Sequence, residues 1–365
     1  MTQPLLKIDN LRTYFYSRSK HAFVRAVDGV SLEVGQRETV GIVGESGSGK
    51  SITAMSVMGL LSAGPGVISG SILFAGSRGQ QNLLEGLDNY VEIEERNGRV
   101  MSVNKDESGW HNASERMMKD LRGKEIAMIF QNPRTSLNPY ITVGRQITEA
   151  IRLHTNIKSA KEAREKALYW LEQVKIDSPG LRFNAYPSAM SGGMCQRAMI
   201  AMALSSEPSL LIADEPTTGL DATIQSKIVD LIEELKSETG VSTLLISHDI
   251  GMVSRLADRV AIIYGGAVVE YGPAKSVLDK ACHIKHPYTA ALLASIPSAQ
   301  KIRDRGRLQT IVGEVLDTIN VPAGCRFYER CNQILPEIKD KCATHHPELK
   351  ELTPGHQVRC WRFTS

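Results

Sequence analysis

Residues 44–51 read GESGSGKS. The spacing is G-x-x-x-x-G-K-[ST], and its surroundings give it meaning. RETVGIVG before it is a short apolar run stopped by glycine, as in a buried strand. SITAMSVMGLL after it has the pattern of a helix. A strand, a glycine loop and a helix in that order make a phosphate cradle. Gly44, Gly47 and Gly49 let the chain wrap closely, so the N–H groups of Glu45, Ser46, Ser48 and their neighbours face phosphate oxygens. The helix adds its positive N-terminal end. Lys50 supplies a mobile charge for the β- and γ-phosphates, and Ser51 a hydroxyl for Mg²⁺. ATP and Mg²⁺ are the expected ligands.

A second stretch, LLIADEP at 210–216, is an apolar run with an acidic end. In an open parallel sheet, ligands bind at the carboxyl ends of strands. Asp214 is placed to hold Mg²⁺ and Glu215 to act as general base on the attacking water.

Strand and helix patterns alternate outward from these two sites. LLKIDNLRTYF reads as an edge strand and RAVDGVSLEV as another. EIAMIF, STLLISHD, RVAIIYGG and AVVEYG are further strand candidates. Residues from about 143 to 204 are helix-rich, and TIQSKIVDLIEELKSETG is an amphipathic helix with a glycine stop. Between about 76 and 124 the chain turns polar, which predicts a surface excursion, a variable hairpin with a short helix near 113–121. After about Cys282 the alternation ends. The pattern predicts an α/β fold with a largely parallel sheet and antiparallel additions at the front.

Bulk properties narrow the class. The chain has 365 residues, 42% hydrophobic, which suits a folded, soluble protein. Its net charge of +3, from 43 basic and 40 acidic residues, is too balanced to argue for nucleic acid or an anionic membrane surface. MTQPLLKIDNLRTYF has neither the basic start nor the apolar core of a secretory signal. No apolar run approaches bilayer length, so docking on a membrane protein is expected rather than spanning.

A third motif, SGGMCQR at 191–197, resembles the signature sequence of ABC-transporter ATPases, usually written LSGGQ. Other marks stand around it in the family's order. Gln131 in MIFQNP resembles the Q-loop glutamine, Asp221 in TTGLD the D-loop, and His248 in LLISHD the switch histidine. Phe15 sits where the adenine-stacking aromatic falls, with Tyr14 the fallback. The resemblance covers about residues 5–280. It implies a P-loop ABC ATPase core, mostly parallel sheet plus an antiparallel β subdomain, with a helical subdomain. It implies two such domains dimerising head to tail, with Ser191, Gly192 and Gly193 meeting the γ-phosphate held by the other subunit. Gln131 would bridge Mg²⁺ to the helical subdomain, and His248 would orient the water. Two positions depart from the pattern: Met190 replaces leucine, and Met194 replaces an amide that could hydrogen-bond. Cys195 follows, either a small packed side chain or a reactive thiol near a helix N-terminus.

LRGKEIAMIFQNPRTSLNPYITVG, MIAMALSSEPSLLIADEPTTGLD and HPYTAALLASIP resemble the ATPase subunits of dipeptide and oligopeptide importers, a group that includes some nickel importers. This implies an ATP-hydrolysing subunit of an importer. Its partners would be two transmembrane permeases, a second ATPase that is often a different chain, and an extracytoplasmic binding protein. Its place would be peripheral, on the cytoplasmic face of the inner membrane. Residues 131–144 would receive the permease coupling helix, with Arg134 to Pro139 lining the groove. The rival class is a soluble ABC ATPase acting on DNA or ribosomes, which usually carries a coiled-coil insertion or two cassettes.

The division expected is an ATPase domain at 1–282 and a small Cys-rich C-terminal domain at 283–365. Six cysteines are present. Cys195 and Cys282 are solitary, whereas Cys325, Cys331, Cys342 and Cys360 are spaced C-x5-C-x10-C-x17-C. A reducing compartment favours a metal over disulfides. Structural zinc sites usually place ligands two to four residues apart, and no such pair exists here, although His345, His346 and His356 lie near. Irregular spacing suits a [4Fe–4S] cluster, and the subfamily's tail resembles one that holds such a cluster. Zinc, or unliganded thiols in a packed tail, are the alternatives. Arg326, Arg330 and Arg359 beside the ligands are expected to offset thiolate charge.

Overall fold

The computed structural model describes residues 3–96, 99–296 and 310–363. At its centre five parallel strands run in the order Arg259–Tyr264, Thr39–Val43, Ser242–Ile246, Leu210–Asp214 and Ile126–Ile129. Four of the five are almost wholly buried apolar runs, as strands covered on both faces must be.

Alternation along these strands separates two cores. Leu210, Ile212, Leu244 and Ile246 face a cluster that includes Val57 of the helix Lys50–Met58 and Leu6, Ile8 and Leu11 of the antiparallel sheet. Leu211, Ala213 and Leu245 face the other side, with Ile147, Trp170, Ala198 and Ile228. Those side chains come from helices Val143–His154, Ala160–Gln173, Gly192–Leu204 and Ala222–Thr239. The helix-rich stretch read at 143–204 is therefore a set of helices, completed by the short Pro179–Phe183.

The antiparallel sheet corrects one expectation. The strand Leu6–Ser17 is not an edge; it lies between Ala22–Val34 and Pro65–Gly76, with Gly79–Asn82 beyond. Its Leu6, Ile8 and Leu11 are fully buried, which an edge position would not require.

The polar excursion forms a hairpin of Val91–Arg96 with Arg99–Lys105, followed by the helix Glu107–Met118. Residues 97 and 98 of the stretch ERNGRVMSVNKDESGWHN lie outside the described residues. The helix begins about six residues before the expected 113–121. Asp106 caps it, accepting the Gly109 N–H at 2.9 Å. The Lys105 ammonium ties the hairpin down, donating to the Val67 carbonyl at 2.9 Å and lying 3.6 Å from the Trp110 ring centre.

The tail departs most from expectation. After the helix Pro287–Ser295 come the helix Lys339–Thr344 and a hairpin, Lys350–Thr353 with His356–Val358. His356–Val358 pairs with Ala267–Pro273, so the central sheet extends to eight strands. The reason is local. Glu270, fully buried on Ala267–Pro273, accepts from the His286 N–H at 2.8 Å and contacts His356 Nε2 at 2.9 Å. Strand structure does not end near Cys282; it returns about 70 residues downstream, at 350–358.

Candidate functional site

The glycine loop joins Thr39–Val43 to Lys50–Met58 at the carboxyl end of the sheet. Two of its glycines are fixed by close backbone approach. A Cβ on Gly49, at φ 104°, would meet the Ala26 carbonyl oxygen at 2.1 Å. One on Gly44 would meet the Ile263 carbonyl oxygen at 2.2 Å. Ser46 and Gly47 form the exposed crest, while Ser48 is buried and its carbonyl accepts the Gly266 N–H at 3.0 Å. The Lys50 ammonium donates to the Gly44 and Glu45 carbonyls, each at 2.9 Å. Burial pulls Lys50 below its ordinary value, against the fields of Glu215, Asp214 and Glu45.

Ser51 Oγ donates to Asp214 Oδ1 at 2.9 Å. Burial pushes the Asp214 carboxyl up; the Ser51 bond opposes this and the Glu215 charge adds to it. Glu215, the next residue, sits at φ 46°, a left-handed conformation unusual for a side chain of this type. That turn aims its carboxylate at three partners. Oε2 accepts from Gln131 Nε2 at 2.9 Å and Thr218 Oγ1 at 2.8 Å, and Oε1 lies 3.2 Å from His248 Nδ1. Burial raises the Glu215 carboxyl, but hydrogen bonds from Thr218 and His248 and the positive fields of His248 and Lys50 outweigh it. The net position is below the ordinary glutamate value. Two hydrogen-bonded sets, Ser51–Asp214 and Gln131–Glu215–His248, thus meet at the adjacent residues 214 and 215 in the field of Lys50, a polar group drawn from distant parts of the sequence.

The other expected residues lie outside that group. Phe15 pairs with Val24 and Pro65 on the antiparallel sheet and is part-exposed. Tyr14 is buried, with its hydroxyl on Asp28 Oδ1 at 2.5 Å, so it is unsuited as the fallback stacking ring. Ser191 caps the helix that Gly192 and Gly193 open, as expected, and its hydroxyl accepts the Met194 N–H at 3.3 Å. Met190 and Met194 join the apolar core. Cys195 is buried with its thiol pushed up, the packed side chain rather than the reactive thiol. Asp221 caps Ala222–Thr239, accepting the Ile224 N–H at 2.9 Å.

Two residues of the tail reach the glycine loop, which sequence reasoning missed. The Glu45 N–H donates to Tyr288 Oη at 2.9 Å, and the Ser48 N–H to the Glu45 carbonyl at 3.2 Å, so these two N–H groups are turned to the protein and not to a phosphate as expected. The Glu45 carboxylate is held by both terminal nitrogens of Arg330, at 2.8 and 3.0 Å. Arg326 meanwhile donates to Asp28 Oδ2 at 2.7 Å and to the Gly265 carbonyl. Arg359 donates to the Val268 and Pro347 carbonyls. All three arginines hydrogen-bond to carboxylates or carbonyls of the fold, with none of those bonds to sulfur, although Arg359 also lies in the field of Cys325. No local pattern in CRFYERC marks contacts that span some 285 positions.

No disulfide joins the cysteines. Cys325, Cys331, Cys342 and Cys360 all line one small cavity, with Phe327, Ile338 and Trp361 beside them. Burial pushes the thiols up, to about 12 for Cys325 and about 11 for Cys360. Among the described residues, no group of three or more His, Cys, Asp or Glu side chains is drawn together tightly enough to hold a metal ion. The expected ligand set is thus arranged around a shared cavity, not converged on a point.

Residues 27–218 match the family described as ABC transporter, and residues 269–337 match the oligopeptide/dipeptide transporter C-terminal region. This chain belongs to the ABC transporter family. Within that family it is similar over nearly its full length to ATP-binding subunits. It is 43% identical to a probable peptide ABC transporter ATP-binding protein, y4tR, of Sinorhizobium fredii, covering 98% of this chain and 95% of that one. It is 42% identical to the oligopeptide transport ATP-binding protein AppD of Bacillus subtilis, covering 98% and 97%. Among solved structures, a dimeric ATP-binding cassette bound to ADP and Pi aligns with a TM-score of 0.55 and 22% identity. It covers 74% of this chain and 98% of that one, and supports the ABC ATPase fold.

Proposed function

We propose that this chain binds and hydrolyses ATP to power peptide uptake through partner permeases. The observation that carries the proposal is the meeting of Ser51–Asp214 with Gln131–Glu215–His248, beside Lys50, at the carboxyl end of a parallel sheet. The relatives named for peptide transport supply the substrate class.

Lys50 and the loop N–H groups hold the phosphates, and Phe15 stacks on the base. Ser51, Asp214 and Gln131 would hold Mg²⁺, which would supply positive charge at the β- and γ-phosphates. Glu215, kept ionised by Thr218 and His248, takes the proton of the attacking water. Ser191, Gly192 and Gly193, at a helix N-terminus, serve the site of a partner ATPase in a head-to-tail dimer. Each partner holds half of each site, so ATP closes the pair and hydrolysis opens it.

Among the described residues no helix is long and apolar enough to cross a membrane. The chain works peripherally, at the cytoplasmic face, with two permeases, a second ATPase of different sequence and an extracytoplasmic binding protein. Residues 131–144 receive a permease helix, and Tyr140 there stands 87% exposed. The ATPase unit of residues 1–282 works with the extension of 283–365.

Cys325, Cys331, Cys342 and Cys360, which line one cavity, are the residues that would hold a [4Fe–4S] cluster in the extension. Bound, it would supply the extension with cross-linking that its small core lacks.

Co-expression with the permeases and binding protein tests the function. The expected result is a complex that co-purifies in detergent and takes up peptide only with hydrolysable ATP. Co-purification with ribosomes or DNA, or uptake of nickel and not peptide, would refute it.

A further inference from the structure

Glu45 is the second residue of GESGSGKS, and it is pinned at three groups. Its carbonyl accepts from Lys50, its N–H donates to Tyr288, and its carboxylate takes two bonds from Arg330. Two of these three holds come from beyond residue 282. Arg330 itself is rigid: its side chain is only 6% exposed, Nε donates to the Val312 carbonyl at 3.2 Å, and Nη1 donates to Tyr264 Oη at 3.3 Å. Tyr264, Tyr288 and Phe327 form the aromatic wall behind it, with ring centres 4.7 to 5.5 Å apart. A bidentate arginine–carboxylate pair fixes direction as well as distance.

We propose that Arg330 is a positioning residue of the ATP site, through which the C-terminal extension sets the shape of the phosphate loop. Arg330 does not reach the reacting atoms; it acts through Glu45. The loop must present several N–H groups to one ligand at once, so a crest held only by its own chain would have to be ordered on binding, at a cost in affinity. Arg330 removes that cost before ATP arrives. It adjoins Cys331, and Arg326, which adjoins Cys325, ties the same short segment to Asp28 on the antiparallel sheet. The segment carrying these two thiols is therefore anchored both to the glycine loop, at Glu45, and to the antiparallel sheet, at Asp28. The inference rests on reading that loop as the phosphate site.

The test uses the full chain and measures ATP affinity and turnover together. Arg330→Gln should weaken ATP binding about tenfold, with kcat at saturating ATP little changed, because the loop holds ground and transition states alike. Arg330→Lys should recover part of the loss, since one bond replaces two. Glu45→Gln cuts the same pair without disturbing the aromatic wall, and covers the case in which Arg330→Gln folds poorly. The double variant should bind within about twofold of the weaker single one. Unchanged affinity in both singles, or losses that multiply in the double, would overturn the proposal. Lys50→Ala separates the two readings. If it binds ATP normally the phosphate site is wrong; if it fails while the Arg330 and Glu45 variants bind normally, only the role of Arg330 is wrong.

Discussion

Replacing Glu215 by glutamine changes one atom at the centre of the polar group. The structural cost is small. Gln131 can turn its amide to accept where it donated, and the Thr218 hydroxyl can do the same, so the three contacts of 2.8 to 3.2 Å are remade with little loss. About 1 kcal/mol of stability is the expected ceiling. The chemical cost is far larger, because an amide cannot take a proton from water. General base catalysis contributes about 10²- to 10⁴-fold, or about 3 to 5 kcal/mol of barrier. The second term wins, so Glu215→Gln should fold, bind ATP and stay in the closed dimer while turning over at least about a hundredfold slower. Phosphate release at saturating Mg-ATP, melting temperature and light scattering together check this. Turnover within about twofold of the parent would remove Glu215 as the base. The parent should also show a displaced acid limit. Thr218 and His248 hold the Glu215 carboxyl below its ordinary 4.5, so the base form, and the stability it contributes, persists through pH 4.5 and fades only at lower pH.

Three further outcomes follow from particular contacts. Gly49→Ala should abolish ATP binding and cost about 2 kcal/mol or more, because the new methyl meets a backbone oxygen. Gly47→Ala, with nothing within 4 Å, should cost less in the same melt, and equal losses would contradict the steric argument. His356→Ala should destabilise the chain by about 3 kcal/mol in denaturant, since it strips a partner from the fully buried Glu270. A loss under about 1 kcal/mol would mean that this pair is not what docks the tail hairpin. If the extension holds an iron–sulfur cluster, Cys325→Ser purified without oxygen should lose iron and visible absorbance relative to the parent, and full iron content would remove Cys325 as a ligand.

The sites that were legible in the sequence are those where backbone geometry demands a residue type. Gly44 and Gly49 are fixed by carbonyls 2.1 to 2.2 Å from where a Cβ would stand, and LLIAD is apolar because it is covered on both faces. The order of strands was less legible. Leu6–Ser17 alternates like an edge, yet is interior, since alternation reports faces and not neighbours. His356–Val358 is three residues long, too short to show a period, and its place is set by Glu270, 86 positions away. The arginines of CRFYERC were read by proximity to cysteine. Their partners, Asp28 and Glu45, lie almost 300 residues upstream and leave no mark nearby.

The late pairing of His356–Val358 has a consequence for synthesis. Ala267–Pro273 leaves the ribosome well before the strand that covers its outer side. Until then a growing chain displays an open, apolar strand beside a finished cassette. Two nascent copies could join along it, so crowded translation of this message should favour aggregates seeded at that edge. A chain cut before His356 would keep that exposed edge permanently.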